Sequence, residues 1–165
     1  MLRSLFLLFW VSFISIDILS AQTEREQAAA YSASKNFNLI SGYSYSSSHI
    51  VELGMSIRKS KTSGYHLFES NLAFSGEVVL GNEFIIGPKI SGWIAGGSPP
   101  VAMGFSIINY TNFNQNEFSL RPEIGLGIFG LKAVYGYNIK VFGAGFDEIS
   151  KSSFSFIFPI YSTKR

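Results

Sequence analysis

The chain has 165 residues, one domain's worth, with 15% charged residues, 16% aromatic residues and a formal charge of +2. So low a charged fraction departs from the soluble average, and the small positive balance, with no basic run interleaved with aromatics, argues against nucleic-acid binding. The lack of cysteine excludes disulfides, thiolate metal sites, cysteine nucleophiles and the lipid-modified cysteine of a lipoprotein.

Residues 1–3 form a short basic start and residues 5–16 (LFLLFWVSFISI) an apolar run. Ala21 then precedes Gln22, so residues 1–21 read as a secretory signal peptide cleaved after Ala21. No later run is apolar and long enough to span a membrane as a helix. Residues 22–35 form a polar, Ala-rich segment, read as flexible or briefly helical. Residues 36–165 read as the barrel domain, strand after strand.

In the first run, Phe37, Leu39, Tyr43 and Tyr45 alternate with Asn36, Asn38, Gly42 and Ser44, the weakest period-two signal of the series. Val51, Leu53, Met55 and Ile57 then oppose Glu52, Gly54, Ser56 and Arg58, and residues 59–64 (KSKTSG) read as a loop. Phe68, Leu72, Phe74, Val78 and Leu80 oppose Glu69, Asn71, Ser75 and Glu77, and Gly81-Asn82 makes a tight turn. Ile86, Pro88, Ile90 and Ile94 oppose Gly87, Lys89 and Ser91, with Trp93 on the polar side or at a rim. Beyond GGSPP (96–100), Val101, Met103, Phe105 and Ile107 oppose Ala102, Gly104 and Ser106, with Tyr110 near the strand's end. Residues 118–142 read as a hairpin about Gly130. Phe118, Leu120, Ile124 and Leu126 face away from Ser119, Arg121, Glu123, Gly125 and Gly127, and Leu131, Tyr135, Tyr137 and Ile139 face away from Lys132, Gly136, Asn138 and Lys140. Residues 143–151 form the longest late loop, before Phe154, Phe156, Phe158 and Ile160.

The fold expected is all-β, a single antiparallel up-and-down transmembrane β-barrel of eight strands with apolar residues toward lipid and polar ones inside. Seven strands would leave an unpaired edge in lipid, where no water satisfies the backbone, so the weak first strand is counted. An eight-stranded barrel has an interior just wide enough for side chains. Glu52, Glu69, Glu77, Lys89, Arg121, Glu123 and Lys140 are therefore expected to form an interior charge network, a structural plug rather than an ion path. The expected pairs are Arg121 with Glu69 or Glu77, and Lys89 or Lys140 with Glu123. The tyrosines near strand ends, Tyr43, Tyr45, Tyr110, Tyr135, Tyr137 and Tyr161, read as membrane-interface girdles.

No catalytic, cofactor-binding or metal site is expected. His49 and His66 sit near strand ends, and Ser47, Ser48 or Ser70 are the nucleophiles a catalytic reading would need, but no spacing selects one. His49, Glu52 and His66 match no ligand pattern for a metal.

The pieces LGNEFIIGPKISGW (80–93) and LRPEIGLGIFGLKAVYGYNI (120–139) resemble small, largely uncharacterised outer-membrane β-barrel proteins of Gram-negative bacteria, with the compact architecture of outer-membrane proteins A and X. The resemblance covers roughly residues 43–161 and implies an outer-membrane location, lipid and the barrel-insertion machinery as partners, a monomer, and no catalytic residues. One departure is the C-terminus: such barrels often end on an aromatic residue, whereas this chain runs past Tyr161 to Arg165. The function expected is non-enzymatic, a structural or surface-interaction role. The alternatives are a secreted lipocalin-like barrel holding a small apolar ligand, which needs apolar residues inside, and an outer-membrane lipid-modifying enzyme.

Overall fold

A computed structural model describes residues 32–63, 66–143 and 145–164. The signal peptide and most of the polar segment read from the sequence lie outside the described residues. The strands are β1 (Ser32–Tyr45), β2 (His49–Ser63), β3 (His66–Leu80), β4 (Phe84–Gly96), β5 (Val101–Thr111), β6 (Asn116–Ile128), β7 (Leu131–Tyr137), β8 (Ile139–Gly143) and β9 (Ser152–Lys164). Each pairs antiparallel with its sequence neighbour through β6, β7 and β8 both lie along β6, and β9 joins β7 to β1. β7 and β8 are one interrupted stave, so the sheet closes as an eight-staved barrel. Closure leaves only the short β8, which pairs with β6 alone, with a free edge.

The alternation of residue types becomes an alternation of burial. In β4, Ile85, Gly87, Lys89, Ser91, Trp93 and Ala95 are buried, while Phe84, Pro88, Ile90 and Ile94 are exposed. The outward residues are the apolar ones. Leu53, Leu72, Ile90, Met103, Leu126 and Phe156 all present their side chains outside the barrel. Taken at about 3.4 Å per residue and the 35–45° tilt usual in such barrels, the outward run from Phe84 to Ile94 spans about 25 Å along the axis.

Two boundaries differ from the sequence reading. β1 begins at Ser32 rather than Asn36, and β2 runs on to Ser63 through the KSKTSG stretch. The ladder there is continuous, pairing Lys59 with Ser70 and Lys61 with Phe68. The stretch keeps period two but alternates lysines with Ser and Thr, so apolar periodicity could not reveal it.

The hairpin at Gly130 turns through Phe129 and Gly130, at φ 54° and 85°. Positive φ at both central residues matches the right-handed twist of the flanking strands. Its second stave breaks at Asn138. The flanking registers, Glu123 with Gly136 and Leu120 with Ile139, put Pro122 opposite Tyr137. Pro122 has no N–H for the ladder. Asn138 turns its own N–H to the Lys151 carbonyl (2.6 Å), and β8 beyond it is exposed throughout.

Large inward side chains sit over glycines. A Cβ at Gly87 would lie 2.7 and 2.8 Å from two ring carbons of Tyr110, whereas one at outward-facing Gly76 would meet nothing within 4 Å. Gly87→Val is expected to lower the unfolding free energy by about 1–3 kcal/mol, the usual cost of overpacking. Gly76→Val should change it by less than about 0.5 kcal/mol, as at an open surface position. Equilibrium denaturation of the two variants checks this, and equal losses would contradict the assigned faces.

Candidate functional site

The interior is filled in layers. Toward the end formed by the β1–β2, β3–β4, β5–β6 and β8–β9 loops, Ile50, Val79, Ile85, Ile108 and Tyr110 pack with Phe146. Phe146 belongs to the last of those loops, which folds over the mouth. Its N–H donates to Glu117 Oε2 (3.0 Å), and Ser119 Oγ donates to the other Glu117 oxygen (2.7 Å). Ser150 N–H donates to Ser46 Oγ (2.9 Å), and Asn138 Nδ2 donates to the Ser150 carbonyl (2.7 Å). The loop is thus tied to β6, to the β7–β8 break and to the first hairpin.

The middle layer is ionic. Glu77 of β3 accepts from Lys89 Nζ (2.9 Å) on β4 and from Arg121 Nη1 (2.8 Å) on β6 through one oxygen. Its second oxygen accepts from Arg121 Nη2 (3.3 Å) and from the Tyr110 hydroxyl on β5. Lys89 also donates to Glu52 Oε2 (2.9 Å) on β2 and lies 3.9 Å from Glu123. Lys132 of β7 pairs with Glu123 and stands 5.8 Å from the Trp93 ring centre. Neutral donors complete the set: Ser75 Oγ to Glu52 (2.6 Å) and Ser106 Oγ to Glu123 (2.9 Å). Arg121 Nε donates to Asn138 Oδ1 (2.6 Å). Three carboxylates, Glu52, Glu77 and Glu123, face three cations, Lys89, Arg121 and Lys132, so the layer is neutral.

Glu69 is buried nearer the opposite end. It pairs with Arg58 (3.3 Å) and accepts the Gly130 N–H (3.1 Å), linking β2 and β3 to the β6–β7 turn across the lumen.

Of the expected network, Glu52, Glu77, Lys89, Arg121 and Glu123 come together as one cluster. Arg121 takes Glu77 and not Glu69. Lys140 is a correction: it is exposed at the mouth, and among the described residues it makes no ion pair. Lys140 stands opposite inward-facing Ser119 and keeps inward parity, but it lies at the mouth beside Glu117, Gly145 and Phe146, one rung beyond the ionic layer. Tyr110 and Trp93 are inward, and Tyr110 is therefore not a girdle residue. The signal was present, since Tyr110 has the parity of Ala102, Gly104 and Ser106. Lys132 belongs to the cluster and was legible from its parity as well.

His49 faces outward and hydrogen-bonds the Tyr43 hydroxyl, with the Tyr45 ring 5.4 Å away. Among the described residues no serine hydroxyl bonds His49. Ser47 is exposed and Ser70 is half-buried on β3. His66 opens β3, and the described residues hold no group of His, Asp and Glu arranged for a metal.

Arg121 and Glu123 are 0% and 5% exposed, whereas Ile124 and Leu126 are 53% and 54% exposed. This is the inverse of a lipocalin-like interior. No family model, curated protein or solved structure matches the chain.

Glu77 is the only carboxylate among the described residues within ion-pair distance of Arg121. Glu77→Ala should therefore strand a buried guanidinium and lower the unfolding free energy by about 3–5 kcal/mol. The double variant Glu77→Leu, Arg121→Leu removes both charges and should lose less than Glu77→Ala alone. Denaturant unfolding of the two variants measures this, and a double variant that loses as much as Glu77→Ala or more would contradict direct coupling of the pair.

Proposed function

We propose that this chain is an integral outer-membrane β-barrel protein, exported through its cleaved N-terminal signal peptide. Its role is structural or surface-contacting rather than enzymatic. The observation that carries this reading is the direction of the two faces. A closed barrel has its charges paired inside and a continuous apolar band outside, with Leu53, Leu72, Ile90, Ile124 and Phe156 exposed together. In water such a band would be far larger than the apolar patches that soluble monomers tolerate. In lipid it is the required surface, and strands meet the requirement only when every backbone edge is paired.

The outer residues near the mouth suit the same placement. Tyr43, Tyr45, Tyr135 and Phe154 stand outward, with Tyr135 and Phe154 packed edge to face at 5.3 Å. Aromatic rings of this kind favour the headgroup boundary. The barrel works as a sealed wall element rather than a pore. Lys89, Arg121, Glu52 and Glu77 are fully buried, and the Phe146 loop covers one mouth.

The barrel refolded in detergent is expected to migrate differently on mild gels before and after boiling, and to need detergent to stay in solution. A soluble monomer without detergent would overturn the membrane reading. In planar bilayers the refolded protein should give no steady ion conductance. Open-channel currents would overturn the sealed-wall role while leaving the membrane placement standing.

A further inference from the structure

The outer wall of β1, β2 and β3 carries a second feature, at the end that holds the chain termini. Ser34 Oγ and Ser60 Oγ hydrogen-bond across β1 and β2 at 2.7 Å. The residues beside them, Lys35 and Lys59, are exposed on the outer face, so two ammonium groups occupy one row of adjacent strands. Like charges facing across a strand pair are destabilising. The nearby carboxylate cannot relieve them, because Glu69 is turned inward onto Arg58 and the Gly130 N–H.

Immediately below this row the wall is hollowed. One depression is lined by Lys35, Lys59, Ser70, Ile57 and Leu72. It continues into a second, lined by Phe37, Met55, Phe74 and Ile90 and sharing Ile57 and Leu72 with the first. The β2–β3 ladder sets Lys59 against Ser70, Ile57 against Leu72 and Met55 against Phe74, so the polarity changes sharply from one row to the next. Gly92 lies opposite Leu72, and an added Cβ there would find only the Asn71 carbonyl, at 3.9 Å.

A cationic, hydroxyl-bearing head above an apolar trough is the complement of one kind of molecule. We infer that this face seats one anionic phospholipid, its phosphate between Lys35 and Lys59 with the Ser70 hydroxyl as a further donor, and an acyl chain along Ile57, Leu72 and Phe74. The inference rests on the membrane placement proposed above. The lysine stems lie along the apolar wall while their ammonium groups reach the headgroup level, the usual behaviour of lysine at such a boundary. The bound phosphate offsets the repulsion between the two lysines, so the site selects charge rather than any lipid.

Native mass spectrometry of the barrel released from micelles doped with equal amounts of phosphatidylglycerol and phosphatidylethanolamine tests this. The expected result is one retained phosphatidylglycerol per barrel, in preference to the zwitterion. Lys35→Gln with Lys59→Gln should reduce that preference by about 25-fold, at about fivefold per lysine beside an anionic headgroup. Lys151→Gln, at the opposite end, should leave it unchanged. Leu72→Trp, which fills the trough, should reduce retention while the barrel still shifts on heating. Equal retention of the two lipids, a preference that survives loss of both lysines, or a second copy of the chain in place of lipid would each overturn the site. A barrel that shows no heat shift and enters no micelle would instead overturn the membrane placement itself.

Discussion

Glu77 is the residue on which the rest of the interior depends. From one strand it reaches Lys89, Tyr110 and Arg121 on the next three staves, covering half the circumference of the barrel. An eight-stranded barrel leaves no room for bulk water at that level, so a charge placed there must find its partner within the protein. Arginine supplies two donors in a fixed fork, which a carboxylate accepts with both oxygens. Once that pair is set, other choices follow. Gly136 must be small, because a Cβ there would come within 2.8 Å of Arg121 Cδ, and Gly87 must be small beneath Tyr110. Asn138 is held by Arg121 and in turn holds the Ser150 carbonyl. The central ion pair is therefore connected to the loop that covers the mouth.

The two ends of the barrel are finished differently. At the loop-rich mouth the interior turns apolar around Phe146, and a buried Glu117 holds the backbone of the covering loop. At the other end the β6–β7 turn is pinned from inside by Glu69. The outer wall there turns basic through Lys35 and Lys59. Stability and surface character are thus divided between the two faces of the same strands. The inward residue of each pair fixes the barrel's shape, and the outward residue decides what surrounds it.

Much of this was legible because a strand has a period of two. Parity alone puts Glu52, Glu77, Lys89, Arg121 and Glu123 on one face, and the need to close the sheet gives the eighth stave. What escaped was whatever lacked an apolar marker or depended on a neighbouring strand. KSKTSG alternates like a strand but offers no hydrophobic residue, and its pairing with β3 decides the matter. Lys140 has inward parity and keeps it opposite Ser119, yet that rung lies at the mouth, where the side chain meets solvent rather than the ionic layer. Tyr110 was readable by parity, and its aromatic character at a strand end pointed the wrong way. Which cation meets which carboxylate depends on the stagger of staves around the lumen, a quantity that no single strand contains.

In the proposed membrane placement the outward face of the strands meets lipid, and tryptophan fluorescence reads that directly. Of the two tryptophans, Trp10 lies within the proposed signal peptide, leaving Trp93, buried in the lumen, in the mature chain. In vesicles whose acyl chains carry bromine, Trp93 should retain its emission. In a Trp93→Phe background, Ile90→Trp should be strongly quenched, because that position points outward from the same strand. Quenching of Trp93 with Ile90→Trp unaffected, or of neither, would contradict the account.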